Sequence, residues 1–336
     1  MKSKLKGRQT VEFASPPVII SFSSIVGPME GLGPLGKSFD KVLPDTLDGQ
    51  ESWEKTETKM LKDAVKMAIS QAQLSDEDIN FVLAGDLLNQ LSVSNFAARD
   101  LPIPFLGLYG ACSTMAMSLA LGSMLIDGGF ADRVVAAASS HHNTAERQYR
   151  YPTELGNQRP MSAQWTVTGA GASLLSAQGY GVKVTHATLG KVIDLGISDA
   201  NDMGAAMAPA IADTLICHFQ DLDTRPEAYD LIISGDLGQV GMNICKELTA
   251  LAGYSLDKYS DCGVLVYNPG QDAHAGGSGC GCSAVVVNGH IIKELLSGRL
   301  KKVLFIGSGA LLSPTSSLQG ESIPSIGHAV VLQGPG

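Results

Sequence analysis

The sequence predicts an α/β protein made of two similar halves, and three observations support this prediction. Segments of the same type recur in the same order in both parts of the chain. Within each part, apolar strands alternate with segments of helical period, the pattern of sheets covered by helices. Hydrophobic residues make up 44% of the 336 residues and charged residues 17%, which is enough for a large core. We expect largely parallel sheets, with halves of residues 1–180 and 181–336.

The first half opens with the apolar strand PPVIISFSSIV at residues 16–26. A helical segment, an acidic turn and the strand FVLAGDL follow within residues 60–90. The run at residues 101–126 is uncharged and long enough to span a bilayer. Its two prolines and many small residues instead favour a loop followed by a buried helix. The strands RVVAAASS and, at residues 166–177, TVTGAGASLLSA complete this half.

The second half repeats these elements. Residues 182–192 form its opening strand, and residues 207–239 again read as helix, turn and strand, ending in DLIISGDL. Gly85 and Asp86 match Gly235 and Asp236. The tripeptide GCS at residues 281–283 matches ACS at residues 111–113, and SIGHAVVLQG closes this half. The repeat therefore places a cysteine before a buried helix in each half.

Charge and cysteine usage exclude several classes of protein. The net charge of −9 argues against a nucleic-acid surface, which needs clustered Lys and Arg. No apolar run of the signal-peptide type follows the basic start, so we expect a soluble protein made in the cytosol with reduced thiols. Cys280, Cys282 and His274 lie close together in sequence, but they lack the second ligand pair of a zinc site. We predict no metal site and no cofactor.

The segment GLGPLGKS at residues 31–38 fits the patterns of phosphate-binding loops. Such a loop must follow a strand directly and open a helix whose N–H groups point at phosphate. Here Pro34 removes one N–H group, and Pro44 ends any helix soon after Lys37. We interpret the segment as a glycine-rich surface loop.

Cys112 lies in LYGACSTMAMSLALGSMLIDGG, where a glycine-bounded loop meets an apolar helix. A helix N-terminus lowers the pKa of a thiol, which favours a nucleophile. The alternative is a small, soft side chain that lines a narrow pocket. A nucleophile for acyl transfer also needs a group that moves protons and donors for an oxyanion.

These segments, together with TVTGAGASLL, resemble the thiolase and ketoacyl-synthase superfamily over nearly the whole chain. The resemblance implies a thiolase-like fold with two βαβαβ-type halves in αβαβα layers, usually in a homodimer. It places Asp236 where synthases have a histidine, and Gly276 and Gly277 where they have a Gly-Asn pair. Ser308 lies in the loop where thiolases have a second cysteine. We therefore expect pocket lining by Cys112 and no catalytic residue; an acyltransferase that uses Cys112 is the alternative.

Within that superfamily, TELGNQRPMSAQWTVTGAGA and GSGALLSPTSSLQGESIPSIGHAVV are similar to the stage V sporulation AD family of spore-forming bacteria. The resemblance implies non-catalytic binding of dipicolinic acid (pyridine-2,6-dicarboxylic acid), free or as the calcium chelate, for uptake into the developing spore. It implies as partners the other proteins of the stage V sporulation A membrane complex, with the protein peripheral at the inner membrane of the spore or forespore. A purely structural subunit of that complex is a further alternative.

A dianionic aromatic ligand needs cationic or amide donors and a flat surface for its ring. We interpret the polar segment HHNTAERQYRYPTELGNQRP at residues 141–160 as a loop that follows a strand end, where ligands bind in α/β folds. It supplies arginines for the carboxylates and tyrosines for the ring. The predicted ligand-binding residues are Cys112, Ser140, His141, His142, Arg150, Tyr151, Arg159, Asp236, Gly276, Gly277, Ser278 and Ser308.

The uncharged segment IPFLGLYG precedes the cysteine loop. In the superfamily, the resembling strand pairs across the twofold axis of the dimer. We therefore expect a homodimer built on residues 106–109, because stable interfaces resemble a domain core.

Overall fold

The structure is a computed structural model that describes residues 4–149 and 159–336. The strands of the first half are β1 (Leu5–Lys6), β2 (Thr10–Glu12), β3 (Val18–Val26), β4 (Lys41–Val42), β5 (Phe81–Gly85), β6 (Phe105–Gly107), β7 (Arg133–Ser140), β8 (Trp165–Thr166) and β9 (Gly169–Ser176). Its helices are α1 (Pro28–Gly31), α2 (Trp53–Gln71), α3 (Ser92–Arg99), α4 (Thr114–Asp127) and α5 (His142–Tyr149).

The second half has the same character. Its strands are β10 (Val182–Leu189), β11 (Leu231–Ser234), β12 (Tyr259–Asp261), β13 (Gly277–Ser278), β14 (Lys302–Ala310) and β15 (Ser325–Gln333). Its helices are α6 (Met203–Asp221), α7 (Gly238–Leu251), α8 (Cys262–Val266), α9 (Cys280–Val286), α10 (Ile292–Leu296) and α11 (Pro314–Leu318). A π-helical turn, Val287–Ile291, joins α9 to α10. The predicted α/β class is confirmed.

Two series of five strands have the same order, β6–β5–β7–β9–β3 and β12–β11–β14–β15–β10. Strands β5 and β11 pair in parallel with both of their neighbours, whereas β9 and β15 pair antiparallel with both of theirs. The sheets are therefore mixed, and the expectation of largely parallel sheets was wrong. The physical reason is visible at β14 and β15, because their connection turns the chain back instead of crossing over through a long helix. A short antiparallel pairing of β3 with β10 joins the two series.

Part of the second half follows the first at a constant spacing of 150 residues. Helices α2 and α6 begin at Trp53 and Met203, and β5 and β11 begin at Phe81 and Leu231. The acidic residues that follow these strands, Asp86 and Asp236, keep the same spacing. The division of the chain near residue 180 stays a prediction.

Helix α4 lies between the two series. It packs on β7 and β9 of the first series and on β14 and β15 of the second. Helix α2 covers β3, β7 and β9, and α6 covers β14 and β15. Because α4 is apolar on every side, it is suited to this position between two sheets. The result is the succession helix, sheet, helix, sheet, helix, which brings the loops around Cys112 and Cys280 to the centre of the molecule.

Two sequence interpretations can be compared with these elements. The uncharged run at residues 101–126 forms β6, a turn and most of α4, as expected for a loop and a buried helix. Within the described ranges, no helix is both long and apolar enough to cross a membrane. The segment resembling a phosphate loop contains only the end of α1 and a short turn at Gly36–Ser38. A Cβ on Gly33 would lie 2.1 Å from the Val266 carbonyl oxygen, so this glycine permits close packing.

A chain of buried polar side chains crosses the second half. The Thr10 and Thr188 hydroxyls lie 2.9 Å apart, and Thr188 Oγ1 lies 2.6 Å from His218 Nδ1. His218 Nε2 lies 2.6 Å from the Tyr229 hydroxyl. Burial lowers the pKa of His218 to about 3. This histidine is therefore neutral at physiological pH, and both of its ring nitrogens are hydrogen-bonded.

Candidate functional site

A pocket opens between the two halves at the loop that carries Cys112. The pocket has a volume of about 480 Å³, part of which is open to solvent. The centre of a water molecule could lie within only about 50 Å³ of this volume. It is therefore a narrow slot with mostly apolar walls. It is lined by Leu87, Tyr109, Ala111, Cys112, Ala145, Tyr149, Thr166, Met203, Met207, Ser278, Ala310 and Leu312.

Cys112 lies in a single turn, Ala111–Ser113, immediately before α4. Ala111 has a φ of 48°, a left-handed conformation that directs the next residue into the pocket. Burial, followed by the negative charge of Asp236, raises the pKa of the Cys112 thiol well above its usual value. The idea that the helix N-terminus lowers this pKa was therefore wrong, because desolvation dominates here. Cys112 is held as a neutral thiol.

Asp236 lies at the base of the pocket next to Cys112; it is fully buried and does not itself line the pocket. Its Oδ1 accepts a hydrogen bond from Ser308 Oγ at 2.6 Å, and its Oδ2 accepts from the Gly279 N–H group at 2.8 Å and from Ser278 Oγ at 3.2 Å. The Cys112 thiol also donates to this carboxyl group. Burial raises the pKa of Asp236, and these hydrogen bonds oppose that shift. The structure thus brings together four of the predicted site residues.

Ser140 lies next to this cluster but does not line the pocket. Its hydroxyl donates to the Val167 carbonyl oxygen at 2.7 Å and accepts from the Gly281 N–H group at 2.9 Å. The N–H groups of Gly279 and Gly281, at the start of α9, are therefore bonded to Asp236 and Ser140. These two donors are satisfied within the protein and are not available to an anionic ligand.

The two predicted glycines shape the backbone beside the pocket. Gly276 has a φ of 122°, and a Cβ at this position would lie 2.6 Å from the Gly263 carbonyl oxygen. Gly277 pairs with Trp165 in the short parallel contact of β13 with β8. The next pair in this contact, Ser278 and Thr166, lines the pocket. Ser308 lies within β14 and not in a loop, because the strand continues to Ala310.

The polar segment after β7 begins as a helix, although we expected a loop. Helix α5 presents Ala145 and Tyr149 to the pocket. The Tyr149 hydroxyl donates to the Leu87 carbonyl oxygen. Arg147, on the exposed side, forms an ion pair with Glu54. Helix α5 therefore contributes the Tyr149 ring to the pocket, whereas the Arg147 side chain does not reach the pocket.

The two histidines at the start of α5 are not free donors. His141 Nε2 lies 2.8 Å from the Thr46 carbonyl oxygen, and its Nδ1 accepts from the Asn143 N–H group at 3.2 Å. Burial lowers the pKa of His141 to about 4, so it is neutral at physiological pH. His142 stacks on the Trp165 ring, with centroids 3.6 Å apart. Both side chains anchor the start of α5 and do not line the pocket.

The arginines that we predicted for the ligand fall into two groups. Arg159 places its guanidinium group 4.8 Å from the centre of the Trp165 ring, and it donates to the Asp272 carbonyl oxygen. It does not line the pocket. Arg150 and Tyr151 lie outside the described residues.

Sequence reasoning missed several pocket walls. Tyr109 follows β6, and its hydroxyl donates to the Leu312 carbonyl oxygen at 3.3 Å. Met203 and Met207 lie four residues apart at the start of α6, on one face of that helix. This spacing is also the pattern of an ordinary core helix, so only the position of α6 beside Cys112 reveals its role.

The chemistry of the pocket is that of an apolar slot with a polar base. In the described part of the chain, no histidine, lysine or arginine lines it. The described residues also contain no group of three or more side chains suited to hold a metal ion. A thiol and a buried carboxyl group form the base, and tyrosine hydroxyls stand at the walls.

Comparison with known proteins shows what this architecture resembles. The family model described as stage V sporulation protein AD (SpoVAD) matches residues 7–333. Stage V sporulation protein AD of Bacillus subtilis (strain 168) is 50% identical over 334 residues, which is 99% of both chains.

The fold is shared with enzymes of low sequence identity. The 3-oxoacyl-[acyl-carrier-protein] synthase III of Aquifex aeolicus VF5 superposes with a TM-score of 0.58 at 14% identity, over 94% of this chain and 99% of that one. Human mitochondrial 3-ketoacyl-CoA thiolase gives a TM-score of 0.58 at 12% identity, over 96% and 99% of the two chains. These likenesses confirm the predicted thiolase-like fold.

Proposed function

Because the chain belongs to the stage V sporulation protein AD family, we propose that it binds dipicolinic acid in the slot at Cys112 and supports uptake of this acid into the developing spore. The observation that carries the proposal is the form of the slot. Two tyrosine rings and two methionine side chains line a narrow space, which suits one planar aromatic ring. The ligand is the free acid or its calcium chelate, and calcium enters only as part of that chelate.

The charge of the ligand sets a condition on the base of the slot. Asp236 would repel a dicarboxylate if it faced the slot, but it does not line the slot, and its oxygens accept hydrogen bonds from donors of the protein. The Ser278 and Cys112 side chains are the polar groups at the base that reach the pocket. These uncharged side chains accept one edge of the ligand without adding charge.

A cation must still pair with the ligand carboxylates. Arg159 is stacked on Trp165, so we assign this role to Arg150, which follows directly after the pocket residue Tyr149. Tyr151 is proposed as a second contact from the same segment. Ser140, His141, His142, Gly276, Gly277 and Ser308 support the pocket walls and base.

We propose that the protein binds its ligand without catalysis. The raised pKa of Cys112 keeps the thiol protonated, whereas a thiolate is needed for acyl transfer. Asp236 lies beneath the thiol and occupies the donors of Ser278, Ser308 and Gly279. A neutral thiol beside a hydrogen-bonded carboxyl group is poorly suited to attack a thioester.

The proposed partners follow from the family and from one exposed edge. Strand β6 ends the first series, and Leu106 within it is 44% exposed. We propose that this edge pairs with its copy in a homodimer. We also propose that the protein is soluble and associates with the inner membrane of the spore or forespore through other proteins of the stage V sporulation A complex.

Titration calorimetry with dipicolinate, with and without calcium, tests the function. We expect binding by the wild type and none by Cys112→Trp, which fills the slot. Arg150→Ala should lose about 2–4 kcal/mol of binding free energy, because a ligand charge loses its partner. Arg147→Ala is the matched control, since Arg147 pairs with Glu54 away from the slot. Arg159→Ala should have a smaller effect than Arg150→Ala.

Each result has a defined meaning once circular dichroism shows that the variants are folded. If the wild type does not bind dipicolinate, the function proposed here is wrong and a purely structural subunit becomes the better explanation. If Cys112→Trp and Arg150→Ala bind as tightly as the wild type, the ligand lies elsewhere. Binding only in the presence of calcium would identify the chelate as the ligand.

A further inference from the structure

Two buried carboxyl groups, Glu57 and Asp86, lie behind the first-half wall of the pocket. Glu57 of α2 accepts hydrogen bonds from Ser139 Oγ at 3.1 Å and from Thr144 Oγ1 at 2.9 Å. Thr144 belongs to α5, the helix that carries Ala145 and Tyr149. Glu57 therefore anchors one segment of the pocket wall.

Asp86 anchors the other segment, residues 86–94. One of its carboxylate oxygens accepts from the Leu88 N–H group at 2.8 Å. The other accepts from the Ser94 N–H group at 2.8 Å and from Ser94 Oγ at 2.6 Å. These bonds fold the chain around Leu87, which lines the pocket.

The two segments are also bonded to each other. The Leu87 carbonyl oxygen accepts from the Tyr149 hydroxyl and from Gln148 Nε2. The Asn89 N–H group donates to Gln148 Oε1 at 3.1 Å. The wall formed by α5 and residues 86–91 thus behaves as one unit with two carboxyl anchors.

This wall contains a backbone conformation that it would not adopt alone. Gln90 and Leu91 both have a φ of 53°, which is rare for residues other than glycine. Two successive left-handed residues persist only where surrounding contacts hold them in place. The closed form of the wall therefore depends on its anchors.

Within residues 4–149 and 159–336, neither anchor forms an ion pair with a cation. Among the ion pairs of the described residues, none includes Glu57 or Asp86. Burial, and then the charge of Asp86, raises the pKa of Glu57 to about 8, and burial raises that of Asp86. Burial, and then the negative charges of Asp86 and Glu57, raise the pKa of the Cys280 thiol on α9 well above its usual value.

Other titratable groups lie on the elements around the pair. His141, before α5, is neutral at physiological pH and bonded to Thr46. On the exposed side of α2 and α5, Glu54 and Arg147 form an ion pair, and Glu146 of α5 is a further buried carboxyl group. Glu57 and Asp86 lower their energy by keeping one proton, since two uncompensated charges in a dry interior repel strongly.

We propose that Glu57 and Asp86 form a proton-dependent latch, which holds α5 and residues 86–91 closed against the pocket while the pair retains a proton. As a means of regulating ligand binding, the latch rests on the function proposed above. Closure of the wall itself is measurable without any ligand. The sign follows from linkage: the closed wall keeps the proton up to about pH 8, whereas an open wall with an exposed glutamate releases it near pH 4.5. Opening therefore becomes more favourable as the pH rises from about 4.5 to about 8.

Hydrogen–deuterium exchange of residues 86–94 and 142–149 between pH 5 and 9 tests the latch, after correction for the intrinsic pH dependence of exchange. In the wild type, we expect exchange in both segments to rise at least tenfold relative to α6 between pH 5 and pH 8, and to level off above pH 8. Glu57→Gln keeps an acceptor for one of the two hydroxyl groups, presents an NH2 donor to the other and cannot ionise, so its profile should stay flat. Glu77→Gln, which changes an exposed carboxyl group, should retain the wild-type profile.

A flat wild-type profile, or an equal rise in Glu57→Gln, would overturn the latch. The wild-type profile is decisive even if the Glu57 variant folds poorly, and Asp86→Asn supplies a second non-ionising variant. Calorimetry with dipicolinate at the same pH values separates the two proposals. Loosening of the wall without binding at any pH would reject the function and keep the latch, whereas loosening together with binding that does not change with pH would reject the latch as a regulator of binding.

Discussion

Ser308 and Asp236 form a closed pair of hydrogen bonds at the base of the pocket. The Ser308 hydroxyl donates to Asp236 Oδ1 at 2.6 Å and accepts from the Asp236 backbone N–H group at 2.9 Å. The Gly279 N–H group donates to the other carboxylate oxygen, so the Ser308 hydroxyl and this N–H group are both bonded to a side chain of the protein. They are therefore not available to an oxyanion that forms on a substrate.

Replacing Asp236 by asparagine should make Cys112 more reactive. The charge of Asp236 is the second largest cause of the raised thiol pKa, after burial. Its removal should increase alkylation of Cys112 by iodoacetamide at pH 8 several-fold, because a larger fraction of the thiol is then ionised. Peptide mass spectrometry gives the rate, and half-buried Cys217 provides a reference thiol that should not change. An unchanged or slower reaction at Cys112 would show that Asp236 does not control this thiol.

The wild-type protein should not transfer acyl groups from coenzyme A. Cys112 is a neutral thiol, and no histidine of the described residues lines its pocket to remove the proton. Incubation with acetyl- and acetoacetyl-coenzyme A should yield no free thiol of coenzyme A and no acyl adduct by mass spectrometry. Turnover that disappears in Cys112→Ala would establish an acyltransferase and refute the non-catalytic proposal.

The protein should be a dimer at micromolar concentration, and Leu106→Asp should convert it to a monomer. Strand β6 is an unpaired edge, and a charge on its exposed apolar side chain would have to be buried in the interface. Multi-angle light scattering measures the mass. Leu251→Asp is the control, because this leucine is 86% exposed on α7, away from the edge. Wild-type protein that is wholly monomeric would contradict the prediction.

Tyr229→Phe should destabilise the protein by about 1–3 kcal/mol, the cost of leaving a buried polar group without its partner. In the wild type, the Tyr229 hydroxyl lies 2.6 Å from His218 Nε2 in the interior. Urea unfolding followed by circular dichroism gives the change in the free energy of unfolding. Tyr180→Phe changes a 76% exposed tyrosine and should shift this free energy by less than about 0.5 kcal/mol. Equal stabilities of the two variants would show that the Tyr229 hydrogen bond contributes nothing.

The sequence predicts the part of this site that the internal repeat marks. Cys112 lies in a turn before a buried helix, and Asp236 follows the end of a strand. The repeat identifies both kinds of position, and they meet where the two halves face each other. Short sequence matches therefore suffice to place these residues at one pocket. Ser278 and Ser308 follow from the same reasoning, because each lies close to an element that the repeat identifies.

The pocket walls and the role of α5 escape sequence reasoning for physical reasons. Helix α5 carries few apolar residues, so its period is hidden, and its start is fixed by distant partners such as Thr46 and Glu57. His141 reads as a polar donor in the sequence, yet burial makes it a neutral structural side chain. Met203 and Met207 look like ordinary core residues until the fold places them beside Cys112.

Helix α4 contacts sheets from both halves, and this has a consequence for biosynthesis. Its second face rests on β14 and β15, and β14 begins only at Lys302. At the usual rate of about 5–20 residues per second, roughly ten seconds or more separate synthesis of the helix from synthesis of its partner. During that time, the nascent chain exposes an apolar helix face beside the ribosome. The N-terminal half made alone would keep this face exposed, so it should aggregate or remain bound to chaperones.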